Sequence, residues 1–296
     1  MIPLEEIFCF IDDFCKGFEQ YSKGYFLGNP ARKRKRACHM SLSEIMTILI
    51  LFQFSHYRTF KDFYYSCLIP YYKTAFPKLV SYNRFLELIP YAIMPMIILL
   101  LNIPGKKTGK YFTDSTKLSV CDNLRINRHK VFEGFAKRGK TSTGWFFGFK
   151  LHLIINDKGE LMSFRITPGN KDDRCIIEKM CKGLQGWLFG DKGYISKDIS
   201  EILSQQGLEL ITRLKKNMKA QFLDPIKKCW LDKRGIIETT IGQLKSIFHI
   251  QHTRHRSVPN FFANVLAGMI AYVFKPKKPN VSFSNAITHK FLLTSS

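Results

Sequence analysis

Residues 1–100 read as mostly helical. The stretch SLSEIMTILILFQFSHY opens with Ser41 as an N-cap and Glu44 three positions on, a capping box ahead of a long apolar segment. A second helix is expected to begin near Ser81, in SYNRFLELI. The most apolar stretch, Leu88 to Ile103, contains Pro90 and Pro95 and falls short of the roughly 18 residues that span a bilayer. It is expected to be a buried helical segment. The segment NIPGKKTGK, residues 102–110, combines Pro, Gly and Lys and marks the best domain boundary. Beyond it the texture changes. YFTDSTKLSV reads as a strand, and GWFFGFKLHLIIND and ELMSFRITPG as a hairpin about a tight Asp-Lys-Gly turn. GWLFGDKG reads as a short strand, SKDISEILSQQG as a helix ending at Gly207, and LELITRL as a returning strand. Three adjacent strands, then strand–helix–strand, then helix make a mixed α/β sheet.

Charge changes this picture. Lys and Arg number 46 against 23 Asp and Glu, giving +23 for 296 residues. Residues 1–100 hold 12 basic and 8 acidic residues, and residues 101–296 hold 34 and 15. The excess therefore lies mainly with the sheet region, and a polyanion is the expected partner, nucleic acid first. RKRKR, Arg32 to Arg36, is either a solvated arm or a phosphate contact. The start MIPLEEIFCF carries acid where a secretory leader carries positive charge, so no cleavable signal is expected. Eight cysteines without a C-x-x-C pair read as free thiols. His249, His252 and His255 recur at every third position and read as a basic surface stripe rather than a metal site. Phe60 and Phe63 read as core.

Three acids stand out on this basic chain. Asp114 lies in a strand among short hydroxyl residues, TDST. Asp191 ends a later strand, between Gly190 and Gly193, which would let the backbone turn sharply and a ligand approach. Glu238 lies on a helix whose apolar face is Ile236, Ile237, Ile241, Leu244 and Ile247. Strand ends of α/β sheets are the usual place for ligand groups. Three gathered carboxylates repel one another unless a cation sits among them, and oxygen-only ligands select a hard ion, Mg²⁺ or Mn²⁺. Arg234 and Lys245 fall on the same side of the helix as Glu238, an arrangement suited to phosphate gripping or, equally, to plain i, i+4 ion pairing. Asp172 and Asp173, in PGNKDDR, are either extra ligands or caps of the following helix, the second being commoner. Lys150 and His152 share one face of a strand and are candidate substrate contacts. Lys192, Arg254 and Arg256 are candidate phosphate contacts.

FTDSTKL, LFGDKGY and RGIIETTIGQLK, followed by HTRHRS and AGMIAYVFKPKKP, resemble a DDE transposase of a bacterial insertion sequence over residues 40–280. The resemblance implies an RNase H-like mixed sheet with flanking helices, preceded by a mainly helical DNA-binding region. The expected divisions are 1–101, a catalytic domain at 110–275, and a loosely ordered tail at 276–296. Asp114, Asp191 and Glu238 match the family's catalytic, metal-holding triad, and Arg234 and Lys245 match its DNA-gripping basic residues. Many relatives carry a tyrosine three residues before the arginine; here that position is Leu231.

The implied activity is Mg²⁺-dependent cleavage at the DNA ends of an element, its terminal repeats, with strand transfer into target DNA. The implied setting is the bacterial cytoplasm, on nucleoid DNA, with a homodimer in the assembled complex and no membrane. A catalytically silent repressor derivative and a nuclease that cuts without joining are the alternatives. Intact carboxylates argue against the first.

Overall fold

The computed structural model of the chain describes residues 3–22, 39–142, 144–213, 223–253 and 255–282. The RKRKR run, Arg254 and tail positions 283–296 lie outside the described residues. The chain divides into two compact units: Met1–Ile103 with Leu244–Pro276, and Pro104–Gln243 with Lys277–Ser296.

The first unit is helical: α1 Leu4–Ser22, α2 Leu42–Phe54, α3 Phe60–Phe63, a π-helical turn Tyr64–Leu68, α4 Ile69–Tyr72 and α5 Tyr82–Asn102. The capping box forms as read. The Glu44 amide donates to Ser41 Oγ at 3.1 Å, and the Ser41 amide donates to Glu44 Oε2 at 2.6 Å. Ser81 caps α5 by accepting from the Arg84 amide at 3.4 Å. α5 runs unbroken through Pro90 and Pro95. Each proline costs an interior helix about 3 kcal/mol. Burial of Phe85, Leu88, Ile89, Met96, Leu99 and Leu100 offsets this, at about 1.5–3 kcal/mol for each full side chain. Because the helix starts at the Ser81 cap and not at Leu88, it has 21 residues and is, by length and composition alone, apolar enough to cross a membrane. Phe63 is fully buried, and Phe60 stacks on Phe85 at 5.3 Å, so both belong to the core.

The second unit is a six-stranded mixed sheet: β1 Lys110–Cys121, β2 Lys137–Thr141, β3 Gly144–Asn156, β4 Leu161–Pro168, β5 Gly186–Gly190 and β6 Leu208–Thr212. β3 lies antiparallel to β1 along one edge; its other edge is shared by β2 and β4. The β3–β4 turn is Asp157-Lys158-Gly159, with Gly159 in the left-handed region at φ 68°. β5 and β6 run parallel to β1. Helices α6 Arg174–Met180, α7 Lys197–Gln205, α8 Pro225–Asp232 and α9 Gly235–Ser246 complete the set before α10, Val258–Phe274. This is the mixed sheet with flanking helices, and the helical N-terminal region, that the resemblance implied.

Strand alternation divides the sheet's two faces. Tyr111, Ile154, Leu188 and Leu208 pack with Ile177 and Met180 of α6 and Leu203 of α7. On the other face Phe112 stacks on Phe189 at 5.3 Å, and Phe189 on Trp230 of α8 at 6.5 Å. α10 packs with α5 and α2 of the first unit, and within that unit Gln53 donates to Asn264 at 3.0 Å.

Candidate active site

The parallel pairing of β1 with β5 places two of the acids. Phe112 pairs with Phe189, and Asp114 and Asp191 each lie two residues further on. The ladder ends at that pair, and Asp114, further along β1, and Asp191, just past the end of β5, continue from it on the face of Phe112 and Phe189. Trp230 covers that face, and the turn after α8 brings Arg234 and then Glu238 to it. Arg234 reaches Asp114 Oδ2 at 3.7 Å and Glu238 Oε1 at 2.9 Å. One guanidinium thus links Asp114 to Glu238, and the charge of Asp191 acts on Asp114.

Their electrostatics differ. Burial pushes the Asp114 carboxyl up to about 6, and the charges of Asp191 and Glu238 push the same way. The Ser115 amide, donating to Asp114 Oδ1 at 2.8 Å, and Arg234 act against this. Glu238 is 59% exposed, and Asp191 is exposed as well. Asp191 stands at the N-cap of the short 3₁₀ turn Lys192–Tyr194 but makes no capping bond, so its carboxylate is not consumed locally. Gly190 sits in tight packing rather than at a turn. A Cβ there would meet Thr113 Cγ2 and Tyr194 Cδ2 at 3.2 Å. Gly193 has open space around it and ordinary backbone angles, so the sharp-turn reading of these glycines does not hold.

Among the described residues no group of three or more His, Cys, Asp or Glu side chains is gathered closely enough to hold a metal ion. The donor chemistry nevertheless fits a hard divalent ion. All three groups are carboxylates, one is held neutral-prone by burial and like charge, and the counter-charge is supplied by Arg234. A cation would relieve the same repulsion.

Asp173 belongs elsewhere. Ser115 faces away from Asp114, and its hydroxyl donates to Asp173 Oδ2 at 2.7 Å. Lys150 Nζ donates to Asp173 Oδ1 and to the Lys171 carbonyl, both at 2.9 Å, which occupies two of its three protons. Asp173 sits at the N-cap of α6 without capping it. Asp172 instead takes the local role, accepting from the Arg174 amide at 2.9 Å and from the Arg174 guanidinium at 2.6 Å. His152, buried beside this cluster, bonds Thr167 Oγ1 at 2.8 Å, and burial lowers its pKa to about 4. Nothing in the local sequence distinguished Asp172 from Asp173; their spatial partners do.

The remaining predicted contacts scatter. Lys192 is exposed beside Asp191, and Arg256 is exposed in the first unit. Lys245, in the last turn of α9, lines a cavity of about 340 Å³ with Arg58, Gln251, His252 and Thr253. The histidines do not form a basic stripe. His255 is mostly buried, stacked on His252 at 3.8 Å, and burial lowers its pKa to about 3, so it is neutral.

No curated protein matches the chain. A cryo-EM structure of a piggyBac transposase synaptic complex with hairpin DNA is similar at a TM-score of 0.50 and 10% sequence identity, over 98% of this chain and 77% of that one. At such identity the likeness speaks for the fold alone. The family described as the transposase DDE domain matches residues 104–258, which contain all three carboxylates, Arg234 and more than half of the sequence. The chain belongs to the transposase DDE domain family.

Proposed function

We propose that this protein is a DNA transposase that uses Asp114, Asp191 and Glu238 to hold Mg²⁺, or Mn²⁺ in its place, for cleavage of element-end DNA and strand transfer into a target. The observation that carries the reading is the parallel pairing of β1 with β5, which brings Asp114 and Asp191 to the end of the same ladder, with Arg234 joining Asp114 to Glu238. Family membership supports it, since DDE transposases generally use divalent metals. The DNA in the synaptic complex of the similar piggyBac transposase supports the choice of substrate.

In this reading the carboxylates of Asp114, Asp191 and Glu238 would hold the ion, Glu238 giving up its contact with Arg234. A divalent ion held there would supply Lewis-acid chemistry, activating water and neutralising charge on the reacting phosphate. Released from Glu238, Arg234 turns its guanidinium to a phosphate oxygen, a planar, bidentate match. Lys192, beside Asp191, and Lys245 and Arg256 hold more distant phosphates. Positioning and charge neutralisation do the work, without a covalent protein intermediate. The freed 3′-hydroxyl then takes the place of water as the in-line nucleophile on the target strand. Handling two element ends calls for at least a dimer, acting on nucleoid DNA in the cytoplasm.

The test is incubation of the purified chain with labelled element-end duplex and a target plasmid, with and without Mg²⁺. Cleavage and joined product are expected with metal, and Asp114→Asn, Asp191→Asn or Glu238→Gln should lower both by at least about a hundredfold. Binding without cleavage by the unaltered chain would favour a silent DNA-binding derivative. Cleavage without joined product would reduce the proposal to a nuclease.

A further inference from the structure

On the α6 side of the sheet lies an open groove of about 550 Å³, lined by Arg138, Lys140, Trp145, Lys150, Arg174 and, at one end, Gly193. Gly193 is two residues from Asp191. The groove lies on the opposite face of the sheet from the Asp114 side chain, and its Gly193 end approaches the chain position of Asp191. Its floor is backbone. A Cβ on Gly139 would lie 2.1 Å from the Gly169 carbonyl oxygen, and one on Gly169 would lie 2.7 Å from the Lys137 oxygen.

Trp145 is the unusual member. Trp230 is 9% exposed and serves the core, whereas Trp145 is 51% exposed. The Arg138 guanidinium lies 5.2 Å and the Lys140 ammonium 5.6 Å from its ring centroid. Within the groove Asp172 is bound to Arg174 and Asp173 to Lys150, so Arg138, Lys140 and Lys171 carry its net positive charge. An aromatic ring presented to water between cations is the arrangement that stacks a base and holds its phosphates. Volumes of about 300–1,000 Å³ suit small ligands, so the groove admits about one nucleotide and excludes a duplex.

We infer that this groove is a subsite for an unpaired nucleotide of the DNA substrate, its base stacked on Trp145 and its flanking phosphates met by Arg138 and Lys140. The inference rests on DNA being the substrate, as proposed above, and adds that the strand is locally unpaired where it runs along the α6 side of the sheet past Gly193. The Lys150–Asp173–Ser115 contacts fix the groove wall to β1, which carries Asp114.

The test measures binding by fluorescence anisotropy in EDTA, so that no cleavage occurs. The probes are a labelled oligothymidylate of about ten nucleotides and a duplex of the same length. Trp145→Ala should weaken single-strand binding about tenfold and change duplex binding by less than about twofold, while Trp145→Phe keeps most single-strand affinity because a phenyl ring still stacks. Quenching of intrinsic fluorescence by oligothymidylate should largely vanish in Trp145→Phe. Single-strand binding by Trp145→Ala equal to that of the unaltered chain would overturn the subsite. So would an equal loss on both probes with an unchanged circular-dichroism melt, since that reports plain charge or shape. Metal-dependent cleavage by the unaltered chain is scored separately, so the transposase reading and the subsite can each fail alone.

Discussion

Asp114 has to be charged to hold a cation, and its surroundings oppose that charge. Its folded pKa, about 6, lies above the usual value of 3.8, so the folded metal-free chain binds more protons than the unfolded one between these values. Stability from this group is present at low pH and is lost as pH rises through that window. Asp114→Asn should therefore raise the thermal midpoint of the metal-free chain at pH 7.5, by up to roughly 3 kcal/mol in stability, while cleavage is lost. A lower midpoint in EDTA would show that the carboxylate is not destabilising. His152 has the opposite sign. Its folded pKa lies near 4, below the ordinary 6.5, so its stabilisation is complete above pH 6.5 and fades as pH falls toward 4. The loss is on the order of 3 kcal/mol, and His152→Gln, which keeps a group able to bond Thr167, should flatten urea-unfolding stability between pH 4 and 6.5. A variant with the same acid dependence as the parent would rule His152 out as its source.

At the scale of elements, local signals and packing contribute unequally. Ser41 and Glu44 announce α2 because a capping box is a property of four consecutive residues. Ser41→Ala should cost about 1 kcal/mol, visible as a shift in denaturant midpoint without a change in slope. Gly268, inside α10, is a case where the helix rule and the packing disagree. Gly to Ala in a helix normally stabilises by about 1 kcal/mol. Here the added Cβ would lie 2.4 Å from Ile250 Cγ2 and 3.3 Å from the Phe248 oxygen. Overpacking costs about 1–3 kcal/mol, so Gly268→Ala should destabilise; a gain on thermal melting would mean that Ile250 yields freely. β2 illustrates the limit of reading by pattern. KRGKT has no apolar residue to alternate, and it is a strand because β3 offers it an edge. The strand before Asp191 was legible because five residues, GWLFG, are apolar or small, and Leu188, Phe189 and Gly190 are buried.

For the whole molecule, net charge and division into units matter most. If DNA is the substrate, as proposed, a charge of +23 makes its binding weaken steeply with salt. Affinity for a random duplex should fall by at least about tenfold between 50 and 200 mM salt, and a flat profile would contradict a phosphate-based interface. Composition, capping, strand pattern and the order Asp114, Asp191, Glu238 are properties of the chain itself. They were enough to indicate a mixed sheet, a basic surface and three acids worth gathering, because burial pattern and charge act within a few residues or over the whole sum. Other decisions needed the fold. The β1–β5 register sets Asp114 beside Asp191, although 76 residues separate them. Asp173 turns to Ser115 and Lys150 on the opposite face, His255 goes inside, and Val258–Phe274 packs with the N-terminal helices. Each depends on which surfaces meet across long separations, and sequence spacing carries no information about that until the strands have paired.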